Sequence, residues 1–405
     1  MMLIKLAWKN VWRSHYRSLV VITAITLGVW AGIFLYGFFF GMFDQRMRDV
    51  IENETSHLQI HQAHYKDDYD VHLYIANGQQ ILENIKADTS VKAATGRILC
   101  SGMVASPATA AGVKINGVDP TGEEQVTKLA EKIKEGGYFA ENLHAPIIIS
   151  DKTADKLKVK LHSKIVLTFQ AANGEITSGA FRVAGIFHSN NSAYDQGNVF
   201  IRREELQALV GDSVGFHEIA VLLKNQSTMN ATEKKYQAAW PAALTESWRE
   251  IVPEIAVVVD MFDQLMGIFM MIILLSLAFG IINTMLMAIM ERTREIGMLM
   301  AIGMNKTRIF FMIVYETIFL ALTGGPLGLL FGYSTIKYFA HRGIDLASFS
   351  KALAGFGISN MVYPQMAGRN YWNIFLEVML VALLASIYPA YKALKLNPVN
   401  AIRKI

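Results

Sequence analysis

The strongest pattern along the chain is the repeated disappearance of charge. From Leu19 to Phe43 the stretch LVVITAITLGVWAGIFLYGFFFGMF carries no charged residue. A bilayer core takes about 20 apolar helical residues, so this run predicts a membrane span. It is too long for the apolar region of a signal peptide, and FFFGMFDQ offers no small-residue cleavage site. A second uncharged run, rich in Met, Ile and Leu, covers Gln264 to Met290. A third, Ile309 to Ile336, contains one acid, Glu316, and the kink-prone TGGPLG at 323–328. The fourth span, 371–391, runs from Tyr371 past Glu377 and closes at Pro389. Four spans place both termini on the same side of the membrane.

Basic residues orient the spans. Lys5, Lys9, Arg13 and Arg17 precede the first, and Arg292, Arg294, Lys306 and Arg308 fill the connector after the second. Lys392, Lys395, Arg403 and Lys404 follow the fourth. All three clusters fall on one face, the expected cytoplasmic side. The segment 337–370 is then an external loop, with Lys337, Arg342, Lys351 and Arg369 spread thinly along it. Within residues 1–18, Leu3, Ile4, Ala7, Trp8, Val11 and Trp12 recur at helical spacing, with the basic residues on another face. That pattern predicts an amphipathic helix lying in the membrane interface and anchoring the first span.

Residues 44–260 lie between the first two spans, hence outside, and alternate as a water-soluble α+β domain. SHLQIH at 56, VKINGVD at 113, APIIIS at 145, SKIVLTF at 163, FRVAGIF at 181, NVFI at 198 and HEIAVLL at 217 predict strands. Asn-Gly within QAANGEITSGAF predicts a hairpin. Helical patterns are expected over 75–87, 121–135 and 229–248. The fold class is therefore a membrane protein with four transmembrane helices and an α+β extracytoplasmic domain inserted between helices 1 and 2.

Composition agrees. Over 405 residues, 52% are hydrophobic and only 18% charged, below the quarter or so usual in soluble domains. Mean hydropathy is +0.29. A net charge of +4 without any nucleic-acid motif gives no reason to expect nucleic-acid binding. The single thiol, Cys100, can form neither an internal disulfide nor a cysteine metal site. His57, His61 and His64, with His72 nearby, sit on a predicted strand without an acid or Cys to complete a set, so no metal site is assigned. Asp67, Asp68 and Asp70 read as a solvated turn. No GxSxG, HExxH or paired-carboxylate spacing supports catalysis, and no enzyme activity is expected of this chain.

The connector 291–308, ERTREIGMLMAIGMNKTR, is neither short nor simply polar. As a helix it pairs Glu291 with Arg294 at i,i+3 and aligns Ile296, Leu299 and Met300 in an apolar stripe, with Gly297 and Gly303 allowing close approach or a turn. An exposed apolar stripe calls for a partner; the alternative is that it folds back on its own helices. This stretch resembles the hallmark of the FtsX-like ABC transporter permeases. YETIFLALTGGPLGLLFG, including Glu316, resembles that family's third span, and IYPAYKALKLNPVNAIR its ending. The layout matches over the whole chain. Within the family, SHLQIHQAHYKDDY, INGVDP and KIVLTF followed by FRVAGIFHSN and VFIRREELQALVG are most similar to the lipoprotein-releasing permeases.

The resemblance implies that Glu291, Arg292, Arg294, Glu295, Ile296, Gly297, Leu299, Met300 and Gly303 couple the chain to a cytoplasmic ATPase. The chain lacks GxxxxGK[ST], so ATP and magnesium would sit on that separate subunit and no cofactor on this chain. A second permease copy or paralogue is expected as a dimer partner, in a bacterial inner membrane with the large domain periplasmic. An apolar substrate cavity for lipids or lipoproteins is implied between spans one and two, drawing on Phe38, Phe39, Phe40 and Phe43 and on Phe262, Met266, Phe269 and Met270. A periplasmic chaperone is a further implied partner, although the matching hairpin, Gln170 to Ala180, is short and lacks the proline of the hook-bearing member. Alternative functions are a regulatory mechanotransmitter acting on a wall hydrolase, and efflux of a drug or peptide. Glu316 and Glu377 would each cost about 2.5–3.5 kcal/mol if charged at mid-bilayer, so both should face protein or water, and an inter-helix hydrogen bond is the expected role.

Overall fold

The computed structural model describes residues 2–13, 15–139, 143–211, 215–355 and 357–395. It divides into one unit of Met1–Phe43, Asp260–Asp345 and Met361–Ile405, and a second of Asp44–Val259 and Leu346–Asn360. Arg403, Lys404 and the terminal Asn-Pro-Val element lie outside the described residues, as do the side chains of Leu3, Ile4, Lys5 and Lys351.

The first unit is helical. Among the described residues, four helices are long and apolar enough to cross a membrane: His15–Asp49, Pro253–Glu291, Lys306–Arg342 and Gly368–Leu394. Each is longer than the uncharged run that predicts it. Loss of charge marks only the hydrocarbon-facing length, whereas helical hydrogen bonding continues until a cap or breaker stops it. The third span is bounded by Asn305, whose side chain accepts from the Thr307 amide, and by Gly343 at φ +73°. Its 37 residues rise about 55 Å. Lys337 and Arg342, expected in an external loop, therefore lie in this helix, and residues 346–360 belong to the second unit.

Apolar residues at i,i+4 spacing build the helical core: Val21, Ile25, Val29 and Ile33 from the first span, with Leu277, Ile281 and Met285 from the second. The TGGPLG stretch does more than invite a kink. Gly324, Gly328 and Gly332 form a stripe at four-residue spacing, and each lies against the first span. A Cβ would come 2.8 Å from the Ile22 carbonyl oxygen at Gly324, 2.6 Å from Val29 Cβ at Gly328 and 2.8 Å from Ile33 side-chain atoms at Gly332. Small residues let membrane helices approach closely enough for van der Waals packing to hold them. Thr26 Oγ1 donates to the Gly324 carbonyl at 3.0 Å, and Trp30 Nε1 to Thr335 Oγ1 at 3.1 Å, across the same seam.

The amphipathic helix is Met2–Arg13. Among its described side chains, Ala7 and Val11 are buried, whereas Trp8 and Trp12 are exposed. Trp8 sets its edge against Phe319 of the third span at 5.3 Å. Ala7 and Val11 thus turn inward, and Trp8 meets the third span while staying partly exposed.

The second unit is an α+β domain of ten strands: β1 (Leu58–Gln62), β2 (Val91–Ala105), β3 (Ala110–Val118), β4 (Ile133–Gly136), β5 (Pro146–Ser150), β6 (Lys164–Gln170), β7 (Ile176–Phe187), β8 (Asn198–Arg202), β9 (Glu218–Leu223) and β10 (Ala243–Ser247). Their order is β10-β1-β9-β2-β3-β8-β5-β7-β4. Strand β6 pairs with both β2 and β7, so β2, β3, β8, β5, β7 and β6 close into a ring. Ile115, Ile147, Leu167, Phe181 and Val199 fill one core there. A second core, with Ile60, Ile219, Val221 and fully buried Trp248, backs β10, β1 and β9.

All seven predicted strands are present. The hairpin at Asn173-Gly174 is present too, with Gly174 at φ +80° and Gln170 paired to Ile176. Strand β2, the longest and the one shared by both halves, was not legible. It is buried on both faces over most of its length, which removes the alternation that marks a half-buried strand. The helix expected over 121–135 ends at Val126 and gives way to β4, and that expected over 229–248 ends at Ala239 before β10. Pro241 breaks the second pattern.

Candidate functional site

The second span runs to Glu291, breaks at Arg292 and resumes as a short helix, Thr293–Ala301. Gly303, at φ +98°, turns the chain toward the third span, a left-handed conformation that glycine adopts without steric cost. The expected Glu291–Arg294 pair does not form. Glu291 instead pairs with Arg17 at 2.7 Å, and Glu295 with Arg13 at 2.8 Å. Arg13 and Arg17 are four residues apart, as are Glu291 and Glu295, so two complementary charge pairs face each other in antiparallel order. Both spacings were visible in sequence, but nothing there paired one with the other.

Arg292 turns the other way. Its Nη1 donates to Glu316 Oε1 at 3.1 Å, with side-chain exposures of 14% and 10%, and its Nε lies 3.4 Å from Glu295. Glu316 thus has the inter-helix hydrogen bond expected of it. Arg294 is exposed and makes no ion pair among the described residues.

The apolar stripe is also turned over. Ile296 and Gly297 are buried, Leu299 and Met300 half-buried, while Met298 and Ile302 point outward, Ile302 being 85% exposed. The face expected to await a partner is instead packed on the chain's own helices. What remains free is the tip of the helix, with Arg294, Met298, Ile302 and Gly303. Beneath the helix lies a cavity of about 360 Å³ walled by Met285, Ile289, Ile313, Arg292 and Glu316. Three ion pairs and this apolar seat tie the connector to the N-terminal helix through Arg13, to the first span through Arg17 and to the third span through Glu316.

The residues named for a substrate cavity form an aromatic cluster within this chain. Phe39 stacks on Phe269 at 6.0 Å, and Phe40 and Phe43 meet the Phe262 ring edge-on at 5.8 and 5.7 Å. Phe262, Met266 and Met270 are buried in that packing, whereas Phe269 is 41% exposed. Phe38 meets Phe39 at 5.6 Å. Phe262, Met266 and Met270 are closed off, Phe38, Phe39, Phe40 and Phe43 are half-buried, and Phe269 is the most exposed of the group.

The histidines of the second unit do not converge on one another. His57 Nδ1 accepts from the Leu223 amide, His61 bonds to Gln59, His64 pairs with Asp67, and His72 with Asp70. Burial pushes His57 down to about 4 and His61 to about 3, so both are neutral in the fold. Among the described residues, Asp151, His188 and Asp195 bring potential metal-ligand atoms within 4.8 Å of one another. His188 Nδ1 lies 2.7 Å from Asp151, and the Lys134 ammonium approaches the same carboxylate at 3.7 Å. This is a paired-charge cluster in which desolvation raises buried Asp195 to about 6.

Four spanning helices, a large domain inserted after the first and a short helix bridging the second and third define a transporter permease. Residues 18–239 match the model of the MacB-like periplasmic core domain, and residues 267–398 that of the FtsX-like permease C-terminal domain. The chain belongs to this MacB/FtsX type of ABC transporter permease. An uncharacterized ABC transporter permease of Methanocaldococcus jannaschii is 24% identical over 99% of this chain and 97% of its own length. The uncharacterized permease YvrN of Bacillus subtilis is 22% identical over 99% and 98%. The macrolide export ATP-binding/permease protein MacB of Chlorobaculum tepidum is 30% identical, over 31% of this chain and 16% of that one.

Proposed function

We propose that this chain is the permease subunit of a mechanotransmission ABC transporter of a bacterial inner membrane. A separate cytoplasmic ATPase, carrying ATP and magnesium, docks on the tip of the Thr293–Ala301 helix, and its stroke is passed through the spans to the periplasmic domain. The observation that carries this reading is the connector itself: a short helix anchored by Arg13–Glu295, Arg17–Glu291 and Arg292–Glu316, with Met298 and Ile302 turned outward. A lever needs a rigid base and a free contact surface, and this helix has both. Arg294 supplies charge at the same surface. A second permease copy or paralogue completes the transporter. The cargo we propose is a lipoprotein or similar amphiphile, taken up beside Phe269 and the aromatic cluster. Efflux of a small amphiphile is the second reading, favoured by the partial match to a macrolide exporter.

The test is affinity capture of the tagged chain from its native membranes in mild detergent, followed by mass spectrometry and ATPase assay. A P-loop ATPase is expected to co-purify, and Ile302→Asp should release it while leaving the permease folded. Triacylated lipoproteins in the same eluate support extraction. The ATPase with a wall hydrolase and no lipoprotein points to the regulatory reading instead. No ATPase at all overturns the docking assignment.

A further inference from the structure

The outer domain carries a cavity of about 370 Å³ at the end of the sheet where Gln62 of β1 pairs with Ala243 of β10. One wall is the helix Gly78–Lys86 with its cap residue Asn77. The other is the turn Trp240–Ala243, which leads from the helix Met229–Ala239 into β10. Asn77, Gln80 and Asn84 stand three and four residues apart, so they share one face of the first helix. Gln62 joins them at the wall, whereas Glu83, which accepts a hydrogen bond from Gln79 at 2.9 Å, is not part of it. Among the described residues, no charged side chain lines this cavity.

The four carboxamides share a second property. Among the described residues, none of Gln62, Asn77, Gln80 and Asn84 makes a side-chain hydrogen bond to the protein. Each therefore holds an acceptor oxygen and an amide donor open to whatever occupies the cavity. On the other wall the Trp240 indole is half-buried and leans on the buried Tyr236 ring at 5.2 Å, which braces it as a flat apolar platform. Its neighbours Ala239 and Ala242 are small and exposed. Uncharged hydrogen-bonding groups and an aromatic face thus meet in one cavity.

We infer that this cavity binds a neutral saccharide, a mono- or disaccharide unit of a glycan. A charged ligand would leave water for a wall that offers no counter-charge, which is costly. A sugar hydroxyl both donates and accepts, as a carboxamide does, so one edge of the ring satisfies the amides. The C–H face of the same ring is apolar and flat, and it suits the indole. The volume lies at the low end of small-ligand sites, about 300–1,000 Å³, which fits a short saccharide better than an extended peptide.

The experiment is isothermal titration of the full chain, in micelles of a detergent without a sugar headgroup, with cellobiose, diacetylchitobiose and trialanine. Saturable binding of at least one disaccharide is expected. Trp240→Ala should weaken it about tenfold, and Trp240→Phe, which keeps an aromatic face, should stay within about threefold of the parent. Gln80→Leu and Asn84→Leu should each cost about 2- to 12-fold, the worth of one neutral hydrogen bond. Tighter binding of diacetylchitobiose marks an N-acetylated glycan as the source; tighter binding of cellobiose marks an unmodified one. The inference is overturned if neither disaccharide saturates, if trialanine binds as tightly as the better disaccharide, or if Trp240→Ala leaves the affinity unchanged. Unfolding midpoints are measured for each variant. If Trp240→Ala does not fold, the two leucine variants on the exposed helix face decide, and unchanged affinity in both overturns the inference.

Discussion

The Arg292–Glu316 pair gives the sharpest test of how the connector is held. Both side chains are mostly buried, at 14% and 10% exposure, and their contact is 3.1 Å. Glu316→Leu leaves the guanidinium without its main partner, and removing one member of a buried pair costs about 3–5 kcal/mol. Arg292 keeps a 3.4 Å contact to partly exposed Glu295, which returns about 0.3–0.5 kcal/mol. The expected loss is therefore about 2.5–4.7 kcal/mol. Replacing both residues with leucine removes the stranded charge, and such exchanges are neutral or stabilising by about 1–4 kcal/mol. Equilibrium unfolding of the full chain in mixed micelles, titrated with SDS and followed by helical circular dichroism, measures both. If Glu316→Leu costs under about 1 kcal/mol, or the double variant is as unstable as the single, the pair does not hold the connector as argued.

Two further outcomes follow from the packing and from the buried histidines. Gly328→Leu should separate the first and third spans, since even a Cβ there meets Val29 at 2.6 Å; the same SDS titration should show a lower midpoint, while Gly280→Leu, where a Cβ meets nothing within 4 Å, should not. His57 is neutral in the fold, its proton affinity lowered by burial to about 4, so the unfolded chain binds more protons between that value and about 6.5. Its contribution is therefore present above about pH 6.5 and is lost as pH falls toward 4, about 1–2 kcal/mol by pH 5. Denaturant unfolding at pH 7 and pH 5, followed by tryptophan fluorescence, should show this loss, and His57→Gln, which keeps an acceptor for the Leu223 amide, should reduce it. An unchanged pH dependence in His57→Gln would remove His57 from the account.

What the sequence determined by itself is whatever is written in local patterns. Loss of charge over Leu19–Phe43 and its three counterparts specifies the spans, because the bilayer penalises charge wherever it falls. Short β-rich runs specify β1, β6 and β9, and Asn173-Gly174 its hairpin, because those preferences act between neighbours in the chain. What only the tertiary structure decided are pairings between distant residues. Arg13 and Arg17 read as orienting charges, yet they meet Glu295 and Glu291, some 280 positions away. The stripe of Ile296, Leu299 and Met300 was legible as apolar, but whether it faced a partner or its own helices depended on which surface the folded bundle offered. Gly324 and Gly328 read as part of a kink-prone stretch until Ile25 and Val29 stood opposite them. Strand β2 had no pattern because both of its faces are covered. Local order follows from local free energy, whereas partners are chosen by the whole chain at once.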